Sequence, residues 1–120
     1  MKEQIQLIQA DGLSGLQKFF FDVIFSNPPY IATGEIEKLQ PEVQREPRLA
    51  LDGGNEGLDF YSRMADELSC LKPGGSLWLE VGFGQAEPVT SLFQGKFRQM
   101  KTFPDLQGTG RVVAGRGFRG

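Results

Sequence analysis

Alternating and continuous apolar runs along the chain predict a series of short strands. Residues 5–9 alternate apolar and polar side chains, which predicts a strand that ends at Asp11 and Gly12. Residues 19–25 are largely apolar at both odd and even positions, a pattern typical of a strand in a parallel sheet that helices cover. Three further strands are predicted at residues 76–81, 97–103 and 111–114, and a glycine-rich turn joins the last two.

Helical periodicity appears in two places between these strands. Apolar residues recur at helical spacing from residue 58 to residue 71, and Lys-Pro-Gly-Gly at residues 72–75 is expected to end that helix. Residues 85–94 predict a shorter helix, whereas residues 31–57 contain prolines and a glycine pair and predict a long loop of the kind that is often functional. The order of elements predicts an α/β fold, with a parallel, doubly wound sheet and an antiparallel hairpin at its edge.

The composition fits one folded domain without a membrane segment. The 120 residues are enough for one domain, and a hydrophobic fraction of 39% is enough for a packed core. No stretch has the length of a membrane span, and the N-terminus lacks the apolar region of a signal peptide, so a soluble cytoplasmic protein is expected. The lone Cys70 is expected to be a small buried hydrophobe, because it has no second cysteine to pair with.

The charge and the lack of histidine disfavour several classes of function. The formal net charge is -2 and no segment is densely basic, which disfavours nucleic-acid binding driven by phosphate neutralisation. Three arginines near the C-terminus (Arg111, Arg116 and Arg119) are predicted to form a solvated, glycine-rich tail. The sequence has no histidine, so zinc hydrolases and Ser-His-Asp hydrolases are poor candidates, and no metal site is predicted.

The segment most indicative of chemistry is Asn27-Pro28-Pro29-Tyr30, here called the NPPY loop, which directly follows an apolar strand. Ligands of open parallel sheets bind beyond the carboxyl ends of the strands, so the loop lies where a site is expected. Each proline fixes its own φ and restrains the residue before it, and neither has an N–H. An ordinary strand-ending turn is the alternative explanation, since Asn and Pro are common turn residues.

These residues suit methyl transfer to an amide or aryl amine. The nitrogen lone pair of such a group is delocalised, and two acceptors aimed at its two hydrogens would localise the lone pair. The side-chain carbonyl of Asn27 and the backbone carbonyl of Pro28 can supply that pair, while Tyr30 can stack on the planar target or enclose it. Catalysis of this kind depends on preorganised dipoles and alignment, and it requires neither histidine nor a metal.

The residues around the NPPY loop resemble a known family. Residues 21–31 resemble the fourth motif of amino-methyltransferases, which enzymes acting on DNA, RNA and proteins share. Three segments resemble the PrmC/HemK family more specifically: Pro41-Glu42-Val43, residues 46–51, and residues 52–61, which begin Asp52-Gly53-Gly54. Residues 105–116 resemble the closing hairpin of that family, so the resemblance runs from about residue 5 to residue 116.

The resemblance implies a Rossmann-like class I methyltransferase fold that uses S-adenosyl-L-methionine as the methyl donor. Members of the PrmC/HemK family methylate N5 of the glutamine in the Gly-Gly-Gln motif of peptide chain release factors, which would be the protein partners. Residues 1–116 would be the C-terminal portion of the catalytic domain, and residues 117–120 a tail. The glycine-rich cofactor loop and the ribose-binding acid of the family are not found in this sequence, so an N-terminally incomplete, inactive fragment is expected.

The resemblance also assigns site residues. Asp11 and Gly12 would meet the adenine of the donor, with Asn27 close to the cofactor, and the whole NPPY loop would bind the substrate. A turn or helix-cap role is the alternative for Asp11. Two alternatives remain for function: a methyltransferase acting on adenine N6 in DNA or RNA, and a non-catalytic remnant that only binds a partner.

The expected lack of strand partners predicts one more property of the chain. With its neighbours absent, the strand before Asn27 would lie at an exposed edge of the sheet. Either residues 5–9 pair with that edge, or two chains associate through it.

Overall fold

A four-stranded mixed sheet forms the centre of the computed structural model, which describes residues 4–48, 51–54 and 57–120. The spatial order is β1-β2-β4-β3, where β1 and β2 run parallel and β4 is antiparallel to both of its neighbours. This arrangement confirms the predicted α/β class and the closing hairpin. Of the predicted parallel, doubly wound sheet, the described strands show one parallel pair. The four strands are β1 (Phe21–Ser26), β2 (Leu71–Glu80), β3 (Phe97–Pro104) and β4 (Gly110–Phe118).

Two longer helices pack against this sheet. They are α2 (Asp59–Asp66) and α3 (Ala86–Phe93), and their buried side chains join those of the strands in one core. Tyr61 of α2 is fully buried, and its hydroxyl donates a 2.7 Å hydrogen bond to the carbonyl of Glu80, which fixes α2 to the end of β2. Helix α3 confirms the helix predicted at residues 85–94.

The predicted helix at residues 58–71 is wrong at its C-terminal end. Helix α2 ends at Asp66, a short 3-10 turn follows at Leu68–Cys70, and β2 begins at Leu71. Leu71 is fully buried and pairs with Phe21 of β1, so burial against the sheet outweighs the helical spacing. The Lys-Pro-Gly-Gly sequence lies inside β2, where a shift in the pairing register interrupts the ladder and accommodates a proline. Cys70 is buried, as predicted.

The closing hairpin is longer than predicted and does not end in a solvated arginine tail. In its turn, the Asp105 carboxylate accepts hydrogen bonds from the backbone N–H groups of Gln107 (2.8 Å) and Thr109 (3.0 Å). Arg111 lies in β4 and forms an ion pair with Asp105 at 3.3 Å. Arg119 donates its backbone N–H to the carbonyl of Lys96, because β3 and β4 remain paired up to their ends. Arg116 also lies within β4.

The segment predicted as one long loop, residues 31–57, contains two short helical turns in its described part. A 3-10 helix spans Thr33–Lys38, and α1 (Pro41–Gln44) has its proline at the first helical position, where the missing N–H costs nothing. Residues 49–50 and 55–56, which carry part of the family resemblance, lie outside the described residues.

The strand predicted at residues 5–9 is not formed. These residues have no strand pairing, and Ile5 and Leu7 are 78% and 93% exposed. An alternating pattern becomes a strand only when a neighbouring strand supplies hydrogen bonds, and none of the four described strands pairs with residues 5–9. The predicted pairing of residues 5–9 with the strand before Asn27 is therefore wrong.

The two faces of the sheet differ in their exposure. Ile24 of β1 faces the core, but its neighbours Val23 and Phe25 are 45% and 77% exposed. The rings of Phe25, Trp78 and Phe103 stack in a row across the sheet, with centroid separations of 6.0 and 5.6 Å. The prediction that the first long apolar run is buried on both faces is wrong, because β1 is an edge strand with one face open.

Candidate active site

The NPPY loop begins where β1 ends, at the edge of the sheet to which the carboxyl ends of β1 and β2 both point. Asn27 is exposed, Pro28 is buried, and Pro29 and Tyr30 are half-buried. The loop therefore places an accessible amide next to a backbone that two prolines and burial restrain. This is the edge of a parallel sheet at which ligands bind.

Asn27 lines an open cleft of about 480 Å³ on the exposed face of the sheet. Its walls are predominantly apolar, and Phe25, Trp78 and Phe103 supply the stacked rings. Flat apolar walls with a polar group at one end suit a planar, hydrogen-bonding group.

A second open cavity, of about 860 Å³, brings Asp11 and Gly12 together with Pro29. The structure thus places the two expected adenine-contacting residues beside the NPPY loop, although Pro29 lies 17 positions after Gly12 in the chain. Asn27 and Tyr30 line other cavities. The predicted site residues therefore lie in or beside the NPPY loop, but they line three different cavities around it.

Arg63 of α2 holds Asp11 in place. Its Nη1 donates to the Asp11 carboxylate at 2.7 Å, and its Nη2 donates to the Asp11 backbone carbonyl, also at 2.7 Å. Its Nε donates to Glu67 at 2.8 Å, and Ser14 donates to the same carboxylate. The hydrogen bond and the positive charge of Arg63 hold the pKa of Asp11 below its ordinary value, and its hydrogen bond does the same for the pKa of Glu67.

This cluster was not identified from the sequence, although one signal was present. Arg63 and Glu67 are four residues apart, the spacing at which oppositely charged side chains meet on a helix. The partner Asp11 is 52 residues away, and no local pattern links it to Arg63.

The glycine turn at residues 52–54 supports the NPPY loop from behind. A side chain on Gly53 would approach the Pro29 carbonyl oxygen to 2.7 Å and the Tyr30 Cα to 2.8 Å, so only glycine fits. Backbone hydrogen bonds join Ile31 to Leu51 (3.1 Å) and Gly53 to Ile31 (2.8 Å). The turn and the loop are therefore in direct backbone contact.

Asp52 organises this turn. Its carboxylate accepts hydrogen bonds from the Thr33 hydroxyl at 2.7 Å and from the backbone N–H of Gly54 at 3.0 Å, and these bonds hold the pKa of Asp52 below its ordinary value. Arg48 forms a longer ion pair with it, at 3.5 Å. The Asp-Gly-Gly sequence was a detectable signal, because Asp commonly bonds to backbone N–H groups two residues further on.

The ring of Tyr30 lies against the backbone at Gly82, where a side chain would approach the ring to 2.8 Å. Burial raises the pKa of Tyr30, and the nearby Glu80 carboxylate raises it further. Tyr30 lines a third cavity, of about 620 Å³, with one side of its ring enclosed by the protein. Tyr30 therefore gives this cavity an uncharged aromatic wall.

Two absences complete the description of the site. No helix in residues 4–48, 51–54 and 57–120 is long and apolar enough to cross a membrane. Within the same ranges, no cluster of three or more His, Cys, Asp or Glu side chains could hold a metal ion.

Known proteins with similar sequences carry a consistent name, although no protein-family model matches the chain. The release factor glutamine methyltransferase of Caulobacter vibrioides is 46% identical over 112 residues, or 91% of this chain and 39% of that protein. The protein of the same name from Geobacter sulfurreducens is 52% identical over 99 residues, or 80% of this chain and 35% of its own length. That of Koribacter versatilis is 38% identical over 119 residues, covering 97% of this chain and 42% of that protein.

The chain is related to the release factor glutamine methyltransferases. It matches the C-terminal part of these proteins and spans about two fifths of their length. The match to the Koribacter release factor glutamine methyltransferase covers 97% of the chain, and so it includes the NPPY loop together with Asp11 and Arg63. The resemblance expected from the motifs is therefore confirmed.

Proposed function

We propose that the chain forms the C-terminal portion of a Rossmann-like class I methyltransferase that methylates the glutamine side-chain amide in the Gly-Gly-Gln motif of peptide chain release factors. The observation that carries the proposal is the sequence match to release factor glutamine methyltransferases over 80% to 97% of the chain. The exposed Asn27 amide at the carboxyl edge of the parallel strand pair supports it. Residues 1–116 would belong to the catalytic domain, and the paired end of β4 would extend that domain to Phe118.

The methyl donor would be S-adenosyl-L-methionine, which supplies a methyl carbon bound to a positively charged sulfur. The residues present fit its adenine, because Arg63 binds one oxygen of the exposed Asp11 carboxylate and, among the described residues, the other oxygen can accept from an amino group. Gly12 adopts a positive φ of 61° and lies in the same open cavity, so its backbone can approach a flat ring closely. Asn27 would contact the donor from the other side of the NPPY loop.

Methyl transfer would follow from alignment by the NPPY loop. The Asn27 side-chain carbonyl and the Pro28 backbone carbonyl would accept hydrogen bonds from the two N–H groups of the glutamine amide. The nitrogen lone pair would then be directed at the methyl carbon. The donor would supply the methyl group from its positively charged sulfur: the nitrogen–carbon bond would form as the carbon–sulfur bond breaks, the electron pair of the broken bond would stay on sulfur, and one nitrogen proton would leave to water. Pro29 and Tyr30 would form the wall against which the planar amide lies.

The test is Asn27→Ala in a complete protein that carries this segment. Removing one preorganised acceptor should lower turnover by about 10²-fold, by analogy with the loss of an oxyanion donor, with little change in donor affinity. Gln107→Ala, at an exposed turn of the closing hairpin, is the matched control and should leave turnover unchanged. Wild-type turnover in the Asn27→Ala protein would contradict the mechanism.

The substrate is tested in the same assay with two acceptors. A release-factor domain containing Gly-Gly-Gln should accept the methyl group, and an adenine-containing oligonucleotide should not. The reverse result would favour the adenine methyltransferase alternative. The absence of transfer to either acceptor by a complete, donor-binding protein would favour the non-catalytic alternative.

A further inference from the structure

Gln85 connects three segments that meet around the NPPY loop. It lies between the end of β2 and the start of α3, and its side chain is half-buried. Its Oε1 accepts the backbone N–H of Gly82 at 2.8 Å. Its Nε2 donates to the Tyr30 carbonyl at 2.8 Å and to the Gly57 carbonyl at 3.3 Å. One amide thus joins the end of β2, the NPPY loop and Gly57, which lies three residues after the glycine turn.

The directions of these bonds require an amide at position 85. A donor N–H group faces one end of the side chain, and two carbonyl oxygens face the other. A carboxylate would place negative charge against both carbonyl oxygens, and an apolar side chain would leave all three backbone groups without this partner. Glutamine is the residue whose side chain accepts at one end and donates twice at the other.

The surrounding backbone leaves little room for adjustment. A side chain at Gly82 would approach Gln85 to 2.9 Å and the ring of Tyr30 to 2.8 Å, and a side chain at Gly57 would approach the Gln85 Nε2 to 2.7 Å. Gly57 itself adopts a positive φ of 79°, which glycine tolerates best. Both glycines therefore allow the main chain to come within reach of one short amide.

We propose that Gln85 is a positioning residue that fixes the carbonyl of Tyr30 and thereby sets the backbone geometry of the NPPY loop. The proposal rests on the proposed function for its catalytic consequence, because the loop that Gln85 holds carries Asn27 and the Pro28 carbonyl. Gln85 itself touches neither substrate nor donor in this scheme. It contributes by preventing the small displacements that alignment-dependent catalysis cannot tolerate, since a misplacement of about 1 Å costs about 10²-fold in rate.

The decisive variant is Gln85→Glu, studied as a function of pH. When ionised, the new carboxylate repels the Tyr30 and Gly57 carbonyls. When protonated, it donates one O–H to the Tyr30 carbonyl and still accepts the Gly82 N–H. Partial burial and the facing carbonyls raise the pKa of a carboxyl group at this position, so the defect should be full at high pH and shrink as the pH falls through that pKa. Gln85→Leu keeps the volume and cannot be rescued by a proton.

Other titratable groups lie near Gln85, so the wild type is measured over the same pH range as a reference. Tyr30 and Glu35 line the same cavity, Glu35 pairs with Lys38, and Glu80 lies near the Tyr30 ring. These groups are present in every variant, so each variant is compared with the wild type at the same pH. Gln107→Glu, at an exposed turn position, is the matched control for adding a carboxylate elsewhere.

The first readout is hydrogen exchange in the 120-residue chain, and it does not depend on activity. The backbone amides of Ile31, Gly53 and Gly57 report on the loop and the turn, because all three donate to backbone carbonyls there. At neutral pH, Gln85→Glu and Gln85→Leu should accelerate exchange at these amides by about tenfold or more, which corresponds to the loss of hydrogen bonds worth about 1.4 kcal/mol together. At low pH, the Glu variant alone should return toward the wild type. Unchanged exchange in both variants would overturn the proposal, whatever the chain methylates.

The second readout is turnover in a complete protein that carries this segment. Gln85→Glu should lower kcat by about 10- to 100-fold at neutral pH with little change in KM or donor affinity, and acid should restore part of the loss. Turnover equal to the wild type at every pH would overturn the positioning role. Failure of the wild-type protein to methylate any acceptor would contradict the proposed function, and the exchange experiment would still decide whether Gln85 holds the loop.

Discussion

At the residue scale, Arg63 contributes shape as well as charge. Two different nitrogens of its guanidinium bind the side chain and the backbone of Asp11, and a third binds Glu67. A lysine ammonium is a single point charge and cannot make these three bonds in a fixed fork. The position of the Asp11 carboxylate therefore depends on the planar group of Arg63, and so would donor binding if Asp11 meets the adenine.

Arg63→Lys in a complete protein should accordingly weaken donor affinity, even though the substitution keeps the positive charge. We expect about a tenfold loss, the size of one misplaced charge-assisted hydrogen bond. Calorimetric titration with the donor measures it. Arg98→Lys, on an exposed position of β3, serves as the control, and equal affinity in the two variants would argue against a role for the Arg63 cluster in donor binding.

The same cluster should make stability depend on pH. The folded-state pKa values of Asp11 and Glu67 lie below their ordinary values. The stabilisation is therefore fully present above the unfolded pKa of about 4 and is lost as the pH falls through the lowered folded-state values. The difference in melting temperature between the wild type and Arg63→Met should shrink between pH 6 and 2, whereas a constant difference would mean that packing of the Arg63 stem accounts for it.

At the scale of elements, the segment that follows the glycine turn is expected to be sensitive to an added side chain at Gly57. Gly57→Ala introduces a methyl group beside the Tyr30 carbonyl at a positive φ of 79°. Gly15→Ala is a matched control, since Gly15 has a φ of 77° with no atom near its missing side chain. We expect Gly15→Ala to cost about 1 kcal/mol from conformation alone, and Gly57→Ala to cost about 2 kcal/mol more from overlap. Chemical denaturation of the two variants measures the difference, and equal losses would show that the turn yields easily.

How far the sequence predicts each element depends on whether its signal is local. The closing hairpin and α3 were predicted because their apolar spacing and turn residues lie within a few positions of one another. The C-terminal end of α2 was not, because Leu71 continues the helical spacing while its burial against Phe21 belongs to the sheet. The NPPY loop was recognisable as a short motif, whereas the bond of Arg63 to Asp11 and that of Gln85 to Tyr30 join residues more than 50 positions apart.

At the scale of the whole molecule, the open edge and the open face of the sheet lie on the same strand. Val23 and Phe25 of β1 are exposed, and among the described strands β1 pairs with β2 alone. Self-association through this edge remains our prediction for the isolated chain, because an unpaired strand offers hydrogen bonds to another chain. Where the rest of a longer protein is present, the same surface is available to it.

Sedimentation of the 120-residue chain should therefore show association that rises with concentration. Val23→Lys should reduce it, since a lysine on an edge strand blocks strand pairing. Leu106→Lys is the control, as Leu106 is fully exposed at the tip of the closing hairpin. A chain that stays monomeric at high concentration would contradict the prediction.

The strand order also has a consequence for the sequence of events during synthesis. β4 is the last described strand to be made, yet it lies between β2 and β3. Until it leaves the ribosome, β2 has no antiparallel neighbour and β3 has no place in the sheet. The parallel pair β1-β2 can form earlier, although it must close a long stretch of chain first. The sheet is therefore completed from its middle once β4 has been made. Until then one edge of β2 and the whole of β3 are unpaired in the nascent chain, and a chaperone could protect them.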